Sequence, residues 1–359
     1  MIAVSSTAPI ELFVGVDTHK DVHAAVAITT TGVRLAAIAV PASSQGYATL
    51  EAWVRSMGAV QAFGIEGIGS YGAGLSRFLH ERGHAVVEVN RPNRQLRHQK
   101  GKSDAVDAES AVRAVLAGQA DGEPKSGTGA VEMIRHLKVA RNTAVKARTQ
   151  AMQTLKAIIV SSPAVLREQI DPIRGTMTLL RRLAALRPGP LTSTLAPAKA
   201  SLRTIARRWL LLDAEIKQRD AQLETLTAAY APELLQAHGL ATGTAAEMLL
   251  VVGDNRERIR SEAAFAKLCG ACPIPATSGK TVRHRLNRGG NRQANAALYR
   301  VVITRMRGHQ PTQDYVRRRT EKGRSNIEII RCLKRYVRRE IFGYLCPKPR
   351  PARTTATAP

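Results

Sequence analysis

From Leu12 to Val89 short apolar runs alternate with amphipathic stretches. Leu12–Val16 and His23–Ile28 are rich in strand formers and flank a polar Asp17-Thr-His-Lys-Asp21 segment. A Thr29-Thr-Thr-Gly32 turn leads into Val33–Val40, so the first 40 residues predict a three-stranded meander. Tyr47–Met57 has helical spacing, Ala59–Ile65 that of a strand, and Tyr71–Arg82 that of a helix that Gly83 ends. Ala85–Val89 predicts a fifth strand, and Ser103 is placed to cap a helix that opens with Asp104 and Asp107. Gly118–Gly129 is Gly-rich and polar and reads as a linker.

Beyond it the period turns helical. Met133, Leu137, Ala140, Ala144, Ala147, Ala151, Thr154 and Ile158 recur at steps of four and three. Leu202, Ile205, Trp209, Leu212, Ile216, Leu223, Leu226 and Tyr230 do the same, with Arg219 the one break. Such heptads predict a coiled coil or a long helical hairpin, packed within one chain or between two. Pro188 and Pro190 interrupt the helices between them. Thr242–Leu250 and Ser261–Leu268 predict two more helices, the second capped by Ser261. A Pro-rich loop (Pro273, Pro275), Thr277-Ser-Gly-Lys280 and basic helices follow.

Three strands followed by helix, strand, helix, strand, helix is the order of an RNase H-like α/β domain. The expected architecture is therefore α/β plus all-α. An RNase H/RuvC-like domain covers 11–120, coiled-coil helices 130–235 and a mainly helical domain 236–346. A Pro/Thr/Ala-rich tail over 347–359 is expected to be disordered.

Charge narrows the partners. The 359 residues carry 54 Lys and Arg against 28 Asp and Glu, a net of +26. Between Lys280 and Arg350 there are 20 basic and 4 acidic residues, so this fifth of the chain holds most of the excess. A balance this lopsided marks a protein that binds a polyanion. Aromatic residues make up only 4% of the chain, which disfavours a base-stacking platform and favours backbone contacts. Four cysteines are too few for a disulfide framework, and Cys269-Gly-Ala-Cys272 lacks the second pair of a zinc site. No signal peptide and no long apolar run is present, so a cytoplasmic protein without a membrane role is expected.

Four acids carry the candidate chemistry. Asp17 and Glu66 each end an apolar strand, and Asp104 and Asp107 lie three apart on one helix face. Carboxylates from strand ends and a helix start can converge on hard divalent cations, an arrangement suited to phosphodiester chemistry. Asp21 and Glu109 point elsewhere, by turn position and helix rotation. The basic stretch Arg91–Lys102, with Arg94, Arg97, Lys100 and Lys102, would bring a phosphate backbone to Asp104. Ser278, before a glycine in a loop, can project its hydroxyl, though a serine needs activation to attack. Lys280, Arg283, Arg285 and Arg288 surround it with positive charge, and Asn291 and Arg292 open the next helix. These residues suit phosphate contact more than base readout, and Arg317–Arg319 and Arg335–Arg339 offer similar charge on later helices.

Together these segments resemble the insertion-sequence 110 family of transposases. The resemblance rests on Phe13-Val-Gly-Val-Asp17-Thr-His-Lys, Gly64-Ile-Glu66, Ser70-Tyr-Gly72 and Lys102-Ser-Asp104-Ala-Val-Asp107. It extends to Pro273–Lys280 and Leu286-Asn-Arg-Gly-Gly-Asn-Arg292. It implies a DEDD site of Asp17, Glu66, Asp104 and Asp107 holding Mg²⁺, with Mn²⁺ able to replace it. It also implies a nucleophile at Ser278, a covalent phosphoserine–DNA intermediate, and strand exchange without hydrolysis. Implied partners are donor and target double-stranded DNA, a structured noncoding bridge RNA, and a second copy of the chain through the coiled coil, in a dimer or tetramer. The chain departs from the family at Thr277, where Ser-Ser-Gly is common, and at Gly239–Gly243, where a tighter Gly-x-Gly is usual. Two other readings stand beside this one: a RuvC-like endonuclease that hydrolyses DNA with the acids alone, and a non-catalytic nucleic-acid-binding protein.

Overall fold

The computed structural model describes residues 10–89, 103–120 and 122–346. Two compact units are present. One runs to Gly129 and also contains Val252–Arg260; the other holds Ala130–Val251 and the chain from Ser261 onward.

The first unit is built on one sheet. Its elements are β1 (Glu11–Thr18), β2 (Val22–Thr29), β3 (Arg34–Pro41), α1 (Ser44–Arg55), β4 (Ala59–Glu66), α2 (Ala73–Glu81), β5 (Val86–Val89) and α3 (Asp104–Leu116). The strands lie in the order β3-β2-β1-β4-β5. Short turns make β1, β2 and β3 antiparallel, whereas the connection through α1 returns β4 parallel to β1. This is the mixed sheet that the sequence pattern predicts.

Alternation along β1 divides its side chains between two layers. Leu12, Val14 and Val16 join Leu50, Val54, Phe63, Ile65, Leu75 and Leu79 in a core beneath α1 and α2. Phe13, Gly15 and Asp17 have the opposite parity and face α3, whose Ala108 and Val112 pack with Val26 and Ile28. Gly15 and Gly64 are partners across β1 and β4. A Cβ on Gly15 would lie 2.0 Å from the Ala108 carbonyl oxygen, and one on Gly64 would lie 2.6 Å from Val115. The two glycines therefore form a seat on which α3 rests directly against the sheet.

The 118–129 segment is less free than its composition predicts. Glu88 N donates to the Gly122 carbonyl at 2.8 Å, adding a bridge to β5. Asn255 accepts from Ser126 N at 3.1 Å and donates to the Pro124 carbonyl at 2.9 Å, while Asp254 accepts from Gly129 N. These partners lie some 130 residues away in sequence, so local composition carries no trace of them.

The second unit is mainly helical. It contains α4 (Ala130–Ser161), α5 (Ala164–Ile170), α6 (Thr176–Ala184), α7 (Leu195–Tyr230), α8 (Pro232–Gln236) and α9 (Thr242–Val252), which ends at the unit boundary. After the return through the first unit come α10 (Glu262–Leu268), β6 (Pro273–Pro275), β7 (His284–Leu286), α11 (Arg292–Gly308), α12 (Gln310–Glu321) and α13 (Asn326–Leu345). Helices α4 and α7 pack antiparallel within the chain: Arg141 pairs with Asp220, and Arg148 with Asp213. On α7 the buried positions Leu202, Trp209, Ile216 and Leu223 match the predicted stripe. On α4 Ala144 and Ala151 are buried as the stripe predicts, but toward both ends the buried position moves to the next residue, to Ile134, Lys138 and Leu155, leaving Met133 exposed. Charged residues lie on this face and keep it from reading as apolar. Lys138 is buried against Glu247 at 2.8 Å, and Arg141 and Arg148 are satisfied by the aspartates of α7.

The Pro273–Pro275 segment, expected as a loop, forms a strand of a hairpin. Ser278 pairs with Thr281 and Ala276 with Arg283 by backbone hydrogen bonds. Alternation then puts Pro273 and Pro275 at positions whose N–H the ladder does not need, which is why two prolines are tolerated. Among the described residues no helix is long and apolar enough to cross a membrane.

Two predictions follow from this packing. Gly15→Ala is expected to destabilise the fold by about 1–3 kcal/mol, as overpacking does, and a urea midpoint equal to wild type would contradict the seat. His23 is fully buried, stacked on Tyr47 at 5.7 Å, and neither ring nitrogen has a well-formed hydrogen bond. Burial pushes its pKa below the usual 6.5, with the Val22 backbone opposing and His19 adding. The stability gained by keeping it neutral is complete above about pH 6.5 and declines as pH falls toward the folded value. The difference in urea midpoint between wild type and His23→Phe should therefore depend on pH between about 7 and 5; a constant difference would refute this.

Candidate active site

Asp17, Asp104 and Asp107 come together where β1 ends at the start of α3, and Glu66 ends the adjoining strand. Asp17 lies two residues beyond Gly15 on β1, and Glu66 two beyond Gly64 on β4, so both share the parity of the glycine seat. The Thr18 hydroxyl donates to the Glu66 carbonyl at 2.7 Å, tying the two strand ends together. Asp104 and Asp107 occupy the first turn of α3, which Ser103 caps by accepting from Val106 N. Asp17 and Asp107 are buried, and Asp104 is exposed.

His19 completes the group, although it is neither an acid nor a strand-end residue. Its Nε2 lies 3.2 Å from Asp17 Oδ2 and 3.3 Å from Asp104 Oδ1. One ligand atom from each of Asp17, His19 and Asp104 falls within 4.8 Å of the others. His19 follows the last residue of β1, at the start of the turn to β2.

The electrostatics fit a cation. Burial pushes the Asp17 carboxyl above its usual range; His19 opposes this, and Asp107 and Asp104 raise it further. A divalent ion would offset both the burial and the mutual repulsion. The donors are mainly hard carboxylate oxygens, the set that Mg²⁺ prefers. Glu109, set aside on rotation, is engaged by Arg34 at 3.3 Å and Arg113 at 2.8 Å.

The second candidate group lies in the other unit. Ser278 is exposed at the tip of the β6–β7 hairpin, its backbone N–H and carbonyl both bonded to Thr281. Gly279 has φ +54, and no non-glycine residue among those described has a positive φ. That is the pattern of a type II′ turn, so Gly279 sets the tip that carries the serine. Lys280 and Arg283 are exposed on the same hairpin. Arg285, Arg288 and Arg292 line a cleft beside it. The Asn291 side chain caps α11, accepting from Ala294 N at 2.9 Å, so its carbonyl oxygen already has a structural task. Arg94, Arg97, Lys100 and Lys102 lie outside the described residues.

Comparison with known families bears on both groups. A family model of IS110 DEDD transposases, described as a transposase, matches residues 14–162. A second, described as transposase IS116/IS110/IS902 family, matches residues 231–317. The first match takes in the four acids and the second takes in Ser278. No curated protein matches the chain.

If the acids hold a divalent ion, Mg²⁺ at ten times its Kd adds about 1.4 kcal/mol, a rise in melting temperature of roughly 3–8 °C. Asp107→Asn should remove that increment. Melting curves of wild type that do not respond to Mg²⁺ would rule out metal binding at these residues.

Proposed function

The chain belongs to the IS110 family of transposases and is a DNA-cutting and DNA-rejoining enzyme, and we propose that it acts as a serine recombinase with a Mg²⁺-binding carboxylate site. The observation that carries this reading is the convergence of Asp17, Asp104 and Asp107, with Glu66 on the adjoining strand end, at one edge of the sheet. In the proposal Asp17, Glu66, Asp104 and Asp107 hold the cation, and His19 orients Asp17 and Asp104. A divalent ion there supplies charge stabilisation to a phosphoryl oxygen.

Ser278 is the nucleophile in this reading. Its Oγ forms a bond to phosphorus as one bridging P–O bond of the strand breaks. The leaving sugar oxygen takes up a proton, and the serine proton passes to solvent. Rejoining is the reverse, with the sugar hydroxyl of the exchanged strand displacing Ser278. No water is consumed, so the linkage is conserved. Lys280 and Arg283 add positive charge near the reacting phosphate.

The wider assembly follows the family resemblance. A structured noncoding bridge RNA would select donor and target DNA, and the net charge of +26 suits two nucleic acid partners. Acids and serine would come from different copies in a dimer or tetramer, with α4 and α7 contributing to pairing.

The test uses the full chain, the transcribed noncoding flank of its element, Mg²⁺ and labelled junction DNA. Denaturing gels with and without protease should reveal a protein–DNA adduct. Ser278→Ala should remove the adduct and lower strand transfer about 10³-fold or more, and Asp17→Ala should do likewise. Cleavage without an adduct, surviving Ser278→Ala, would instead identify a RuvC-like hydrolase.

A further inference from the structure

Beside the serine hairpin, β7, α11 and α13 enclose a cleft of about 770 Å³. Six cationic residues line it: Arg285, Arg288, Arg292, Arg331, Lys334 and Arg335. Neither Asp nor Glu is among the described residues that line it, and none of the six pairs with a carboxylate among them. Neighbouring cations are treated differently. Arg305 is held by Glu340 at 2.7 Å, and Arg338 and Arg339 by Glu262 at 2.9 and 3.1 Å. On the same helices, then, glutamates pair with Arg305, Arg338 and Arg339 outside the cleft, whereas among the described residues no carboxylate pairs with the six cations that line it.

Lys334 is built into this cleft. Its ammonium donates to Asn295 Oδ1 at 2.5 Å. Asn295 is itself fixed, its Nδ2 donating to the carbonyls of Cys269 and Gly270 at 2.9 and 3.0 Å. An ammonium has three donors, so this bond orients Lys334 without exhausting it. Burial holds its pKa below the usual lysine range, and Arg331 lowers it further. An anion would relieve both effects. The half-exposed Tyr299 ring lies 6.0 Å from the same ammonium and gives the cleft an apolar wall.

We propose that this cleft grips a phosphodiester of the DNA strand that Ser278 attacks, and thereby sets the register between hairpin and scissile linkage. The proposal rests on the serine-recombinase reading for which strand is bound. The hairpin supplies the spacing. His284 lines the cleft, and Thr281, the partner of Ser278, is three residues farther along the strand. At about 3.3 Å per residue the tip stands about 10 Å beyond the cleft rim. DNA rises about 3.4 Å per nucleotide along its axis, and because the strand also winds around that axis its successive phosphates lie about 7 Å apart, so the gripped phosphate should lie about one to two nucleotides from the linkage joined to serine.

The test measures binding, in full-length protein carrying Ser278→Ala so that chemistry does not intervene. Arg331→Gln with Arg335→Gln changes two exposed residues, and a thermal melt checks that the fold is kept. The slope of log affinity for junction DNA against log salt should fall by about 1–2. A methylphosphonate scan should then find a position about one to two nucleotides from the junction that weakens the Ser278→Ala protein about tenfold and the triple variant hardly at all. An unchanged slope overturns the proposal, as does a loss seen with the RNA alone and absent with DNA. A sensitive position more than about four nucleotides away overturns the register. Binding is read independently of the adduct, so loss of the serine mechanism and loss of the cleft give different results.

Discussion

The approach of α3 to the sheet is the constraint on which the candidate active site depends. Two paired glycines allow it, and no side chain can stand between. Each glycine precedes an acid by two residues, in Gly15-Val-Asp17 and Gly64-Ile-Glu66. Strand alternation then aims both acids at the helix that the glycines admit. The same helix begins with Asp104 and Asp107, so lowering α3 onto the seat also brings its first turn to the strand ends. Packing and chemistry are fixed by one contact. A constellation of this kind must hold its geometry to about 0.5 Å, and a methyl group at Gly15 would displace the helix by more than that.

The helical unit handles charge by a contrasting rule. Along α4 the buried or partly buried cations have carboxylate partners: Lys138 with Glu247 of α9, Arg141 with Asp220 and Arg148 with Asp213 of α7. Such pairs add little net stability over an apolar core, but losing either partner strands a buried charge. They therefore select one alignment of the two helices. Around the hairpin the matching stops, although the residue types are the same. A surface that leaves its arginines unmatched keeps them available for an external anion, at the cost of self-repulsion.

How much of this was legible in the sequence depended on where each residue's partner lies. The sheet was readable because period-two alternation is local, and Ser103 and Ser261 announced their helices through short-range caps. Asp17, Glu66, Asp104 and Asp107 could be nominated as candidates because strand ends and helix starts are themselves local features. What escaped depends on distant partners. The buried face of α4 follows the predicted stripe at Ala144 and Ala151 and departs from it at Ile134, Lys138 and Leu155, because its charged members are satisfied only by α7 and α9. Asn255 and Asp254 fix a segment that composition presents as a linker. Two prolines argued for a loop at 273–275 until the ladder showed that neither N–H was required. His19 lay within the quoted motif, but a lone histidine beside an acid has no distinctive spacing.

The two chemical groups differ in a way that bears on control of the reaction. Ser278 stands in water at a turn, and an exposed hydroxyl is a weak nucleophile without a base, a metal or fixed positive charge beside it. The acids have the converse defect: burial and mutual repulsion oppose the charge on Asp17. On the proposed reading neither group is competent alone. The carboxylates need a cation, and the serine needs a polarised phosphate. Both needs are met only when metal and DNA are present together. On that reading a recombinase would gain from this division, because the free protein would hold no activated nucleophile. The activation is assembled with the substrate.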